Sequence, residues 1–316
     1  MSLTYGLFLP QGFLPVLAGM KDPVEAYETL TRVAQTAEEC GFTSVWLVDH
    51  FHPALAPSPE PLFECWTTTA ALARDTRRVR IGQLVTANSF RHPALLAKMA
   101  STVDVLSHGR LTVGIGAGGF EPEYRAYGYD YPPDSERLRQ LREAVQVLRA
   151  MWTQDEAVFE GTYYQVHGAI NQPKGVQHPH IPLLIGGDGE HVTLKLVAHY
   201  ADACNVSGDL TTIEHKFAVL KGHCEAARRD YTSIHRTAWT VCSLGETDEQ
   251  AQTMLSERMK ALFSEDFLSS ALIGSPETIR SRIAAYEAAG VQELAIHLVD
   301  VTHLESIRRF AREFIR

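Results

Sequence analysis

Asp49 and His50 are the residues best suited to proton transfer, and they directly follow an apolar run at positions 44–48. A histidine exchanges protons near neutral pH, and an adjacent carboxylate can orient or charge its ring. A histidine that only packs at the end of a strand would occupy the same position. The pair therefore indicates a candidate acid–base site, whose role depends on the elements that bring other groups to it.

His50 is also part of a His-x-His sequence, because His52 follows one residue later. Such pairs bind the metal of some barrel hydrolases, but that chemistry needs further ligands from later strands. His297 and Asp300, at the last apolar run, are the only candidates. We therefore expect no metal, and a metal-dependent barrel hydrolase is a less favoured function.

A glycine-rich turn at 185–190, Ile-Gly-Gly-Asp-Gly-Glu, separates an apolar run at 181–185 from a predicted helix at 191–200. Glycines allow the backbone to turn sharply and bring its N–H groups close to a ligand. The start of a helix adds unpaired N–H groups and the positive end of its dipole, which together favour a phosphate. The turn predicts a phosphate-bearing ligand, although an ordinary strand-to-helix turn has the same composition.

A second glycine-rich stretch, at 114–119, matches the Gly-x-Gly-x-x-Gly pattern of dinucleotide-binding turns. Pro122 stands where the following helix should continue, and no acidic strand end comes at the expected distance. We interpret the match as accidental. These glycines are expected instead to leave room for a flat group.

Composition limits the class of protein. The 316 residues are 45% hydrophobic and 21% charged, which is ordinary for a globular protein with a large core. The net charge of −9 and a pI near 5.9 argue against nucleic acid or an anionic membrane as the main partner. No apolar run reaches membrane-spanning length. The five scattered cysteines, without a Cys-x-x-Cys pair, favour reduced thiols in a cytoplasm.

Apolar runs alternate with helical stretches along the whole chain. The runs lie at positions 3–9, 44–48, 79–86, 111–115, 181–185, 202–206, 237–244 and 293–299. They are continuous, as expected for strands buried on both faces. The stretches between them place apolar residues at spacings of three, four and seven, which is typical of amphipathic helices. Eight strands, each followed by a helix, predict an α/β fold of the (β/α)8 TIM barrel type. A doubly wound sheet is the alternative, but it usually has fewer strands.

Long connections at the carboxyl ends of barrel strands are usually functional, because active sites form at that face. The Asp49-His50 pair ends the second strand and is therefore placed there. Long connections are predicted at 11–24, 51–64 and 116–182, the last with a small hairpin around Gly161. We expect one barrel domain over 1–316, with an insertion around 117–180 at the carboxyl-terminal face.

Short motifs follow one another along nearly the whole chain. They are Val-Asp-His-Phe at 48–51, Ile-Gly-Gln-Leu-Val-Thr at 81–86, Arg-His-Pro-Ala at 91–94, Ser-His-Gly-Arg-Leu at 107–111, Gly-Ile-Gly-Ala-Gly at 114–118, Phe-Glu-Gly-Thr-Tyr-Tyr at 159–164, Pro-Lys-Gly-Val-Gln-His-Pro at 173–179, Ile-Gly-Gly at 185–187 and Ile-Gly-Ser-Pro-Glu at 273–277. In order and spacing, the chain resembles the luciferase-like monooxygenase superfamily, in particular its coenzyme F420 (deazaflavin)-dependent oxidoreductases. The motifs are more specific for the superfamily than for the cofactor.

This resemblance implies roles for particular residues. Asp49 and His50 match a pair beside the deazaflavin ring, with His50 in proton transfer, and both are expected to be catalytic. Leu84 and Val85 match a bulge in the third strand that often holds a non-proline cis peptide behind the ring. The expected cofactor-binding residues are Asp49, Leu84, Val85, Thr86, Gly116 and Gly118, with Gly186, Gly187 and Gly189 at the cofactor phosphate.

One position departs from the family's sugar-phosphate dehydrogenases, some of which carry a catalytic glutamate directly after the glycines of the fourth strand. Gly119 stands there in this chain, and Glu121 and Glu123 are near but shifted. The departure weakens the case for sugar-phosphate oxidation. The sequence leaves open whether Glu121 or Glu123 takes part in catalysis.

The resemblance thus implies an enzyme that transfers a hydride between coenzyme F420 and a small organic substrate that the sequence does not identify. The alternative is an FMN-dependent luciferase-like monooxygenase, whose members more often carry Glu-His where this chain has Asp49-His50. A non-catalytic flavin-binding relative is less favoured. Relatives commonly pair through helices near the second and third strands, so the resemblance also implies a homodimer, with apolar stretches at 67–72 and 93–106 available for the contact.

Overall fold

The computed structural model of the protein describes residues 3–54 and 60–315. Its strands are β1 (Thr4–Phe8), β2 (Ser44–Leu47), β3 (Arg80–Gln83), β4 (Thr86–Ala87), β5 (Leu111–Gly116), β6 (Ala157–Glu160), β7 (Gln165–Ala169), β8 (Leu183–Gly186), β9 (Ala203–Val206), β10 (His235–Leu244), β11 (Leu272–Gly274) and β12 (Glu293–Leu298). Its helices are α1 (Pro23–Glu39), α2 (Cys65–Asp75), α3 (Pro93–Leu106), α4 (Glu121–Tyr127), α5 (Asp134–Thr153), α6 (Thr193–Tyr200), α7 (Leu210–Ala226), α8 (Asp248–Met254), α9 (Glu257–Lys260), α10 (Glu265–Ser270), α11 (Pro276–Ala288) and α12 (Leu304–Phe314).

Eight of the strands close into a parallel barrel, in the order β1-β2-β3-β5-β8-β9-β10-β12. β10 closes the ring, because it pairs with β12 on one side and with β9 on the other. β4 continues β3 after a break and pairs with β5, while β11 pairs with the carboxyl end of β10. The predicted (β/α)8 TIM barrel is confirmed, and each predicted apolar run corresponds to one barrel strand.

Local sequence explains where several helices begin. Asp22 caps the backbone of α1, and Pro23 occupies the first turn of that helix. Ser275 caps α11 in the same way, again with a proline in the first turn. Pro122 occupies the first turn of α4. The proline that was expected to interrupt a helix therefore helps to begin one, since its missing N–H would be unpaired there in any case.

The connection between β5 and β8 carries α4, α5 and the antiparallel hairpin β6–β7. The long helix α5 packs against both α3 and α6, so it is the regular barrel helix that follows the fourth strand. The predicted hairpin around Gly161 is confirmed. The Glu143 carboxylate of α5 accepts hydrogen bonds from the N–H groups of its turn residues Thr162, Tyr163 and Tyr164. The stretch predicted as an insertion thus contains a regular helix as well as the added α4 and hairpin.

Most of the core lies between the strands and the surrounding helices, where one continuous cluster includes the fully buried Leu7, Val45 and Ile81. A second, smaller cluster of side chains points into the barrel. Its buried members are Phe8, Trp46, Val48, Leu184, Ala203 and Ala295, and Phe13, Leu84, Val85 and Trp239 pack against them. This inner cluster supports the open end of the barrel. None of the described helices has the length and apolarity that a membrane crossing requires.

Candidate active site

A cleft of about 420 Å³ is lined by residues from the carboxyl ends of the barrel strands and from the loops that follow them. The histidine end of the cleft consists of Phe13, His50, Phe120 and Glu123. The glycine end consists of Gly186, Gly187, Asp188, Thr193, Asn205 and Ser207. Phe13 and His50 follow β1 and β2, whereas the glycine end follows β8 and β9, on the opposite side of the ring. The cleft therefore spans the mouth of the barrel, where barrel enzymes place their active sites.

His50 is held in place through its backbone, through stacking on one face of its ring and through a contact at Nδ1. The Gln11 side chain exchanges two hydrogen bonds of 2.9 Å with the backbone of Val48, which fixes the end of β2. The imidazole stacks on Phe13, with ring centroids 4.0 Å apart and an interplanar angle of 10°. Its Nδ1 lies 3.0 Å from Oε2 of Glu123. Because Nδ1 is engaged, Nε2 is the ring nitrogen available for proton exchange in the cleft.

Glu123 is the buried partner of this histidine, with a side chain only 1% exposed. Its other oxygen accepts hydrogen bonds of 2.8 Å from the N–H groups of Phe51 and His52. Burial by itself raises the pKa of Glu123, but the hydrogen bond and charge of His50 and the two N–H groups outweigh burial and lower it. A carboxylate at this distance can accept a hydrogen bond from Nδ1 of His50, so the two residues have the geometry of a candidate acid–base pair.

Asp49 lines the cleft, but its carboxylate is committed to other groups. Nη1 and Nη2 of Arg91 donate to its two oxygens at 2.6 and 3.0 Å, and the N–H of Ala87 donates at 3.0 Å. Burial by itself lowers the pKa of Arg91, but the hydrogen bonds and charge of Asp49 outweigh burial. The pKa of Arg91 is therefore raised, and the guanidinium stays charged. Arg91 also contacts Glu64 at 2.5 Å. Asp49 thus joins the end of β2 to β4 and positions the backbone before His50.

The break between β3 and β4 forms the floor of the cleft. The peptide between Leu84 and Val85 is cis, as the resemblance implied, and both side chains line the cleft. A Cβ atom on either Gly116 or Gly186 would lie 2.7 Å from the Val85 side chain. These two glycines therefore make room for Val85, and only indirectly for a flat ligand above it.

Backbone groups dominate the glycine end. Gly187 has a φ of 130°, which disfavours any side chain, and its N–H donates to the carbonyl of Asn205 at 3.2 Å. In the described part of the chain, the N–H groups at 188–190 donate no hydrogen bond. The Asp188 carboxylate accepts from the N–H and hydroxyl of Ser207 at 2.8 and 2.6 Å, so it is already hydrogen-bonded. Together with the start of α6, the free N–H groups provide an environment that suits a phosphate.

His297 and Trp239 complete the wall between these two ends. The His297 ring stacks on Phe8 at 3.6 Å and meets the edge of Trp239 at 5.8 Å. Burial lowers the pKa of His297 to about 3, so the ring is neutral at physiological pH. It offers the cleft a neutral polar group, without the proton-exchange partner that His50 has.

A family model for luciferase-like monooxygenases matches residues 4–268. The chain belongs to the luciferase-like monooxygenase family. A relative from Amycolatopsis mediterranei, named F420-dependent glucose-6-phosphate dehydrogenase, is 33% identical over 232 residues, which cover 70% of this chain and 67% of that protein. An uncharacterized protein from Mycobacterium tuberculosis is 31% identical over 217 residues, covering 64% of this chain and 76% of the relative.

Solved structures of luciferase-like barrels have the same fold. An F420-dependent secondary alcohol dehydrogenase, in complex with an F420-acetone adduct, aligns with a TM-score of 0.82 and 21% identity over 99% of this chain and 98% of that chain. The monooxygenase RslO1 from Streptomyces bottropensis aligns with a TM-score of 0.81 and 23% identity over 99% of both chains. At these identities the likeness concerns the fold alone.

Two of the residues predicted for this luciferase-like site do not reach the cleft. Thr86 is fully buried, and its hydroxyl accepts a hydrogen bond from Trp66 Nε1 at 3.1 Å. Gly189 packs against Thr193 at the start of α6 and does not line the cleft, so only its N–H can contribute. The side chains or backbone of the other predicted residues, Asp49, His50, Leu84, Val85, Gly116, Gly118, Gly186 and Gly187, do line it.

The metal alternative finds no support in the arrangement of these groups. Across residues 3–54 and 60–315, no group of three or more His, Cys, Asp or Glu side chains could hold a metal ion. His52 packs against Tyr127 at a ring distance of 5.5 Å, and Asp300 accepts a hydrogen bond from Ser306. His297 is held between aromatic rings, so the four candidates do not converge.

Sequence reasoning missed the functional neighbours of His50. It left Glu123 undecided and considered His297 only as a metal ligand. The one available signal for Glu123 was Pro122, because a proline in the first turn begins a helix and fixes the direction of the next side chain. Nothing in the spacing pairs Glu123 with a histidine 73 residues away.

Proposed function

We propose that this protein is an oxidoreductase that transfers a hydride between coenzyme F420 and a small organic substrate, with His50 exchanging the accompanying proton. The observation that carries the proposal is the pair formed by His50 and Glu123 at the edge of the cleft, next to the cis peptide that forms its floor. The relatives named as F420-dependent enzymes support the choice of cofactor.

The cleft has the features that a deazaflavin would need. The flat floor at Leu84 and Val85 suits a planar ring, and the free N–H groups at 188–190 suit the cofactor phosphate. When bound, the deazaflavin accepts or supplies a hydride. The protein's own part is to hold the ring and the substrate together and to keep water away from them.

His50 handles the proton in this proposal. During oxidation of an alcohol, Nε2 accepts the hydroxyl proton, and during reduction of a carbonyl it returns that proton to oxygen. Glu123 stays ionised beside Nδ1 and stabilises the positive charge that His50 acquires. Stacking on Phe13 keeps the ring in a single orientation while its charge changes.

Separate titrations with coenzyme F420 and FMN test the proposal. We expect F420 to bind at least about tenfold more tightly, a difference of about 1.4 kcal/mol, when followed by protein and cofactor fluorescence. Tighter binding of FMN would contradict the proposal and favour the alternative, an FMN-dependent luciferase-like monooxygenase.

A cytoplasmic homodimer is part of the same proposal. Leu95 and Val105 on α3 are 55% and 36% exposed and lie in the apolar stretch at 93–106 that was expected to contact a second copy. All five cysteines are unpaired, which suits a reducing compartment. Light scattering at micromolar concentration should give twice the mass of the chain, and a monomer would contradict the dimer.

A further inference from the structure

Aromatic side chains surround the part of the cleft where a substrate would meet His50. Phe13 lies against one face of the imidazole, and the ring of Phe120 approaches its edge at 6.1 Å. Trp239 lines the adjacent wall and is supported from behind by Phe263 and Phe267, at 5.9 and 4.8 Å. Rings of this kind offer large apolar contact surfaces, with few groups that could replace the water around a charged ligand.

In the described lining of the cleft, the ionisable side chains other than histidine and tyrosine are acidic. Among the described residues that line it, there is no lysine or arginine, whereas Asp49, Glu123 and Asp188 are carboxylates. A doubly charged phosphate at the histidine end would lie near the Glu123 carboxylate. His297, the other polar group on the wall, is neutral. A phosphate there would lose its water without gaining a lysine or arginine among the described residues that line the cleft, and Nδ1 of His50 is already held by Glu123.

Two described arginines near the histidine end of the cleft are already paired. Arg91 is committed to Asp49 and Glu64. Arg258 of α9 reaches the loop after β2, where its Nη1 lies 3.1 Å from Oε1 of Glu60. The free N–H groups of the glycine end are assigned to the cofactor phosphate. At the histidine end, a substrate phosphate would therefore need to displace Arg91 or Arg258 from its present partner to gain either arginine.

We propose that the substrate is an uncharged alcohol or carbonyl compound with an apolar body, and not a phosphorylated sugar. This inference rests on the proposed hydride transfer. In the oxidation direction, His50 would take the O–H proton of the carbinol at Nε2 as the C–H bond breaks. The hydride and its two electrons would be taken up by bound, oxidised F420, and the carbinol would leave as a ketone or aldehyde.

The test uses the F420-loaded enzyme, and loading is first measured by itself. Loaded enzyme is then titrated with cyclohexanol, cyclohexanone and glucose 6-phosphate by calorimetry, and F420 reduction is followed at its visible absorbance. We expect cyclohexanol or cyclohexanone to bind at least about tenfold more tightly than glucose 6-phosphate, and cyclohexanol to reduce F420. Failure of F420 to load contradicts the proposed function. Normal loading followed by tighter binding of glucose 6-phosphate, or by no binding of either neutral probe, overturns only the substrate class.

Variants of the aromatic wall sharpen the test. Trp239→Ala should weaken binding of the neutral probe about tenfold or more, while Trp239→Phe, the matched control, keeps most of the apolar surface and most of the affinity. Phe120→Ala should weaken binding in the same direction while F420 still loads. Unchanged neutral-probe affinity in both alanine variants would contradict the assignment of this wall to the substrate.

Discussion

The two ends of the cleft achieve their chemistry by different means. The glycine end presents backbone N–H groups from one short stretch. The nearby Asp188 carboxylate accepts hydrogen bonds from Ser207. The histidine end is assembled from side chains that are distant in sequence, with His50 against Phe13 and Glu123. A backbone site depends on local conformation, whereas a side-chain site depends on the whole barrel. Substitutions at the two ends should therefore have separable effects.

The largest effect is expected from His50→Asn. Asparagine keeps some of the shape and hydrogen bonding of the ring but cannot exchange the proton, so turnover should fall about 10²–10⁴-fold. The F420 dissociation constant should change by less than about threefold, because the cofactor phosphate lies at the opposite end. His52→Asn, a histidine outside the cleft, is the matched control and should retain turnover.

Steady-state turnover and cofactor titration of both variants distinguish the alternatives. Near-normal turnover in His50→Asn with tight F420 binding would eliminate the proton-transfer role. Equal losses in the two histidine variants, together with inhibition by chelators, would instead indicate a metal site.

Glu123→Gln should have the next largest effect. The amide keeps an acceptor for the N–H groups of Phe51 and His52 but removes the charge beside His50. Loss of a charge-assisted hydrogen bond of about 1.5–3 kcal/mol predicts a kcat about tenfold to a hundredfold lower, with little change in KM. Glu121→Gln, on the same helix and paired with the exposed Arg125, is the control and should keep normal kcat. A rise in KM with unchanged kcat would instead assign Glu123 to substrate binding.

Gly187→Ala tests the other end of the cleft. Its φ of 130° is unfavourable for any side chain, so the loop should shift and F420 binding should weaken by about tenfold. Turnover at saturating cofactor should fall much less than in His50→Asn. Gly222→Ala, on α7 with no atom near the added methyl group, is the control. An unchanged F420 dissociation constant in Gly187→Ala would place the cofactor phosphate elsewhere.

The smallest effect concerns stability against pH. His297 has a pKa lowered to about 3, so between the ordinary histidine pKa near 6.5 and pH 3 the unfolded chain binds more protons than the folded one. Its contribution therefore makes the fold less stable as the pH falls, by at most about 1.4 kcal/mol per pH unit, which is the limit for one proton.

Urea unfolding at pH 7 and pH 5 measures this contribution. The stability of wild type should decrease more between the two pH values than that of His297→Leu. Glu123, whose pKa is lowered, loses stabilisation in the same direction at more acidic pH, but it is present in both proteins and cancels. An identical pH dependence in the two proteins would show that His297 is not held neutral.

The sequence predicted the barrel and the strand–turn–helix at 185–190 better than the surroundings of His50. Continuous apolar runs and helical spacing are local signals, and so is the turn at 185–190. The cis peptide followed from the resemblance at Leu84 and Val85. The partner of His50 depends on how two loops meet across the barrel, which no spacing records. The orientation of Thr86, away from the cleft and toward Trp66 of α2, likewise follows from the break after β3.

A crystal structure of the enzyme with coenzyme F420 tests the central claim most directly. The account predicts the cofactor phosphate at residues 186–190, the ring over Leu84 and Val85, and His50 Nε2 facing the space beside the ring. A phosphate at the histidine end, or a ring that leaves His50 out of reach of any substrate, would contradict it.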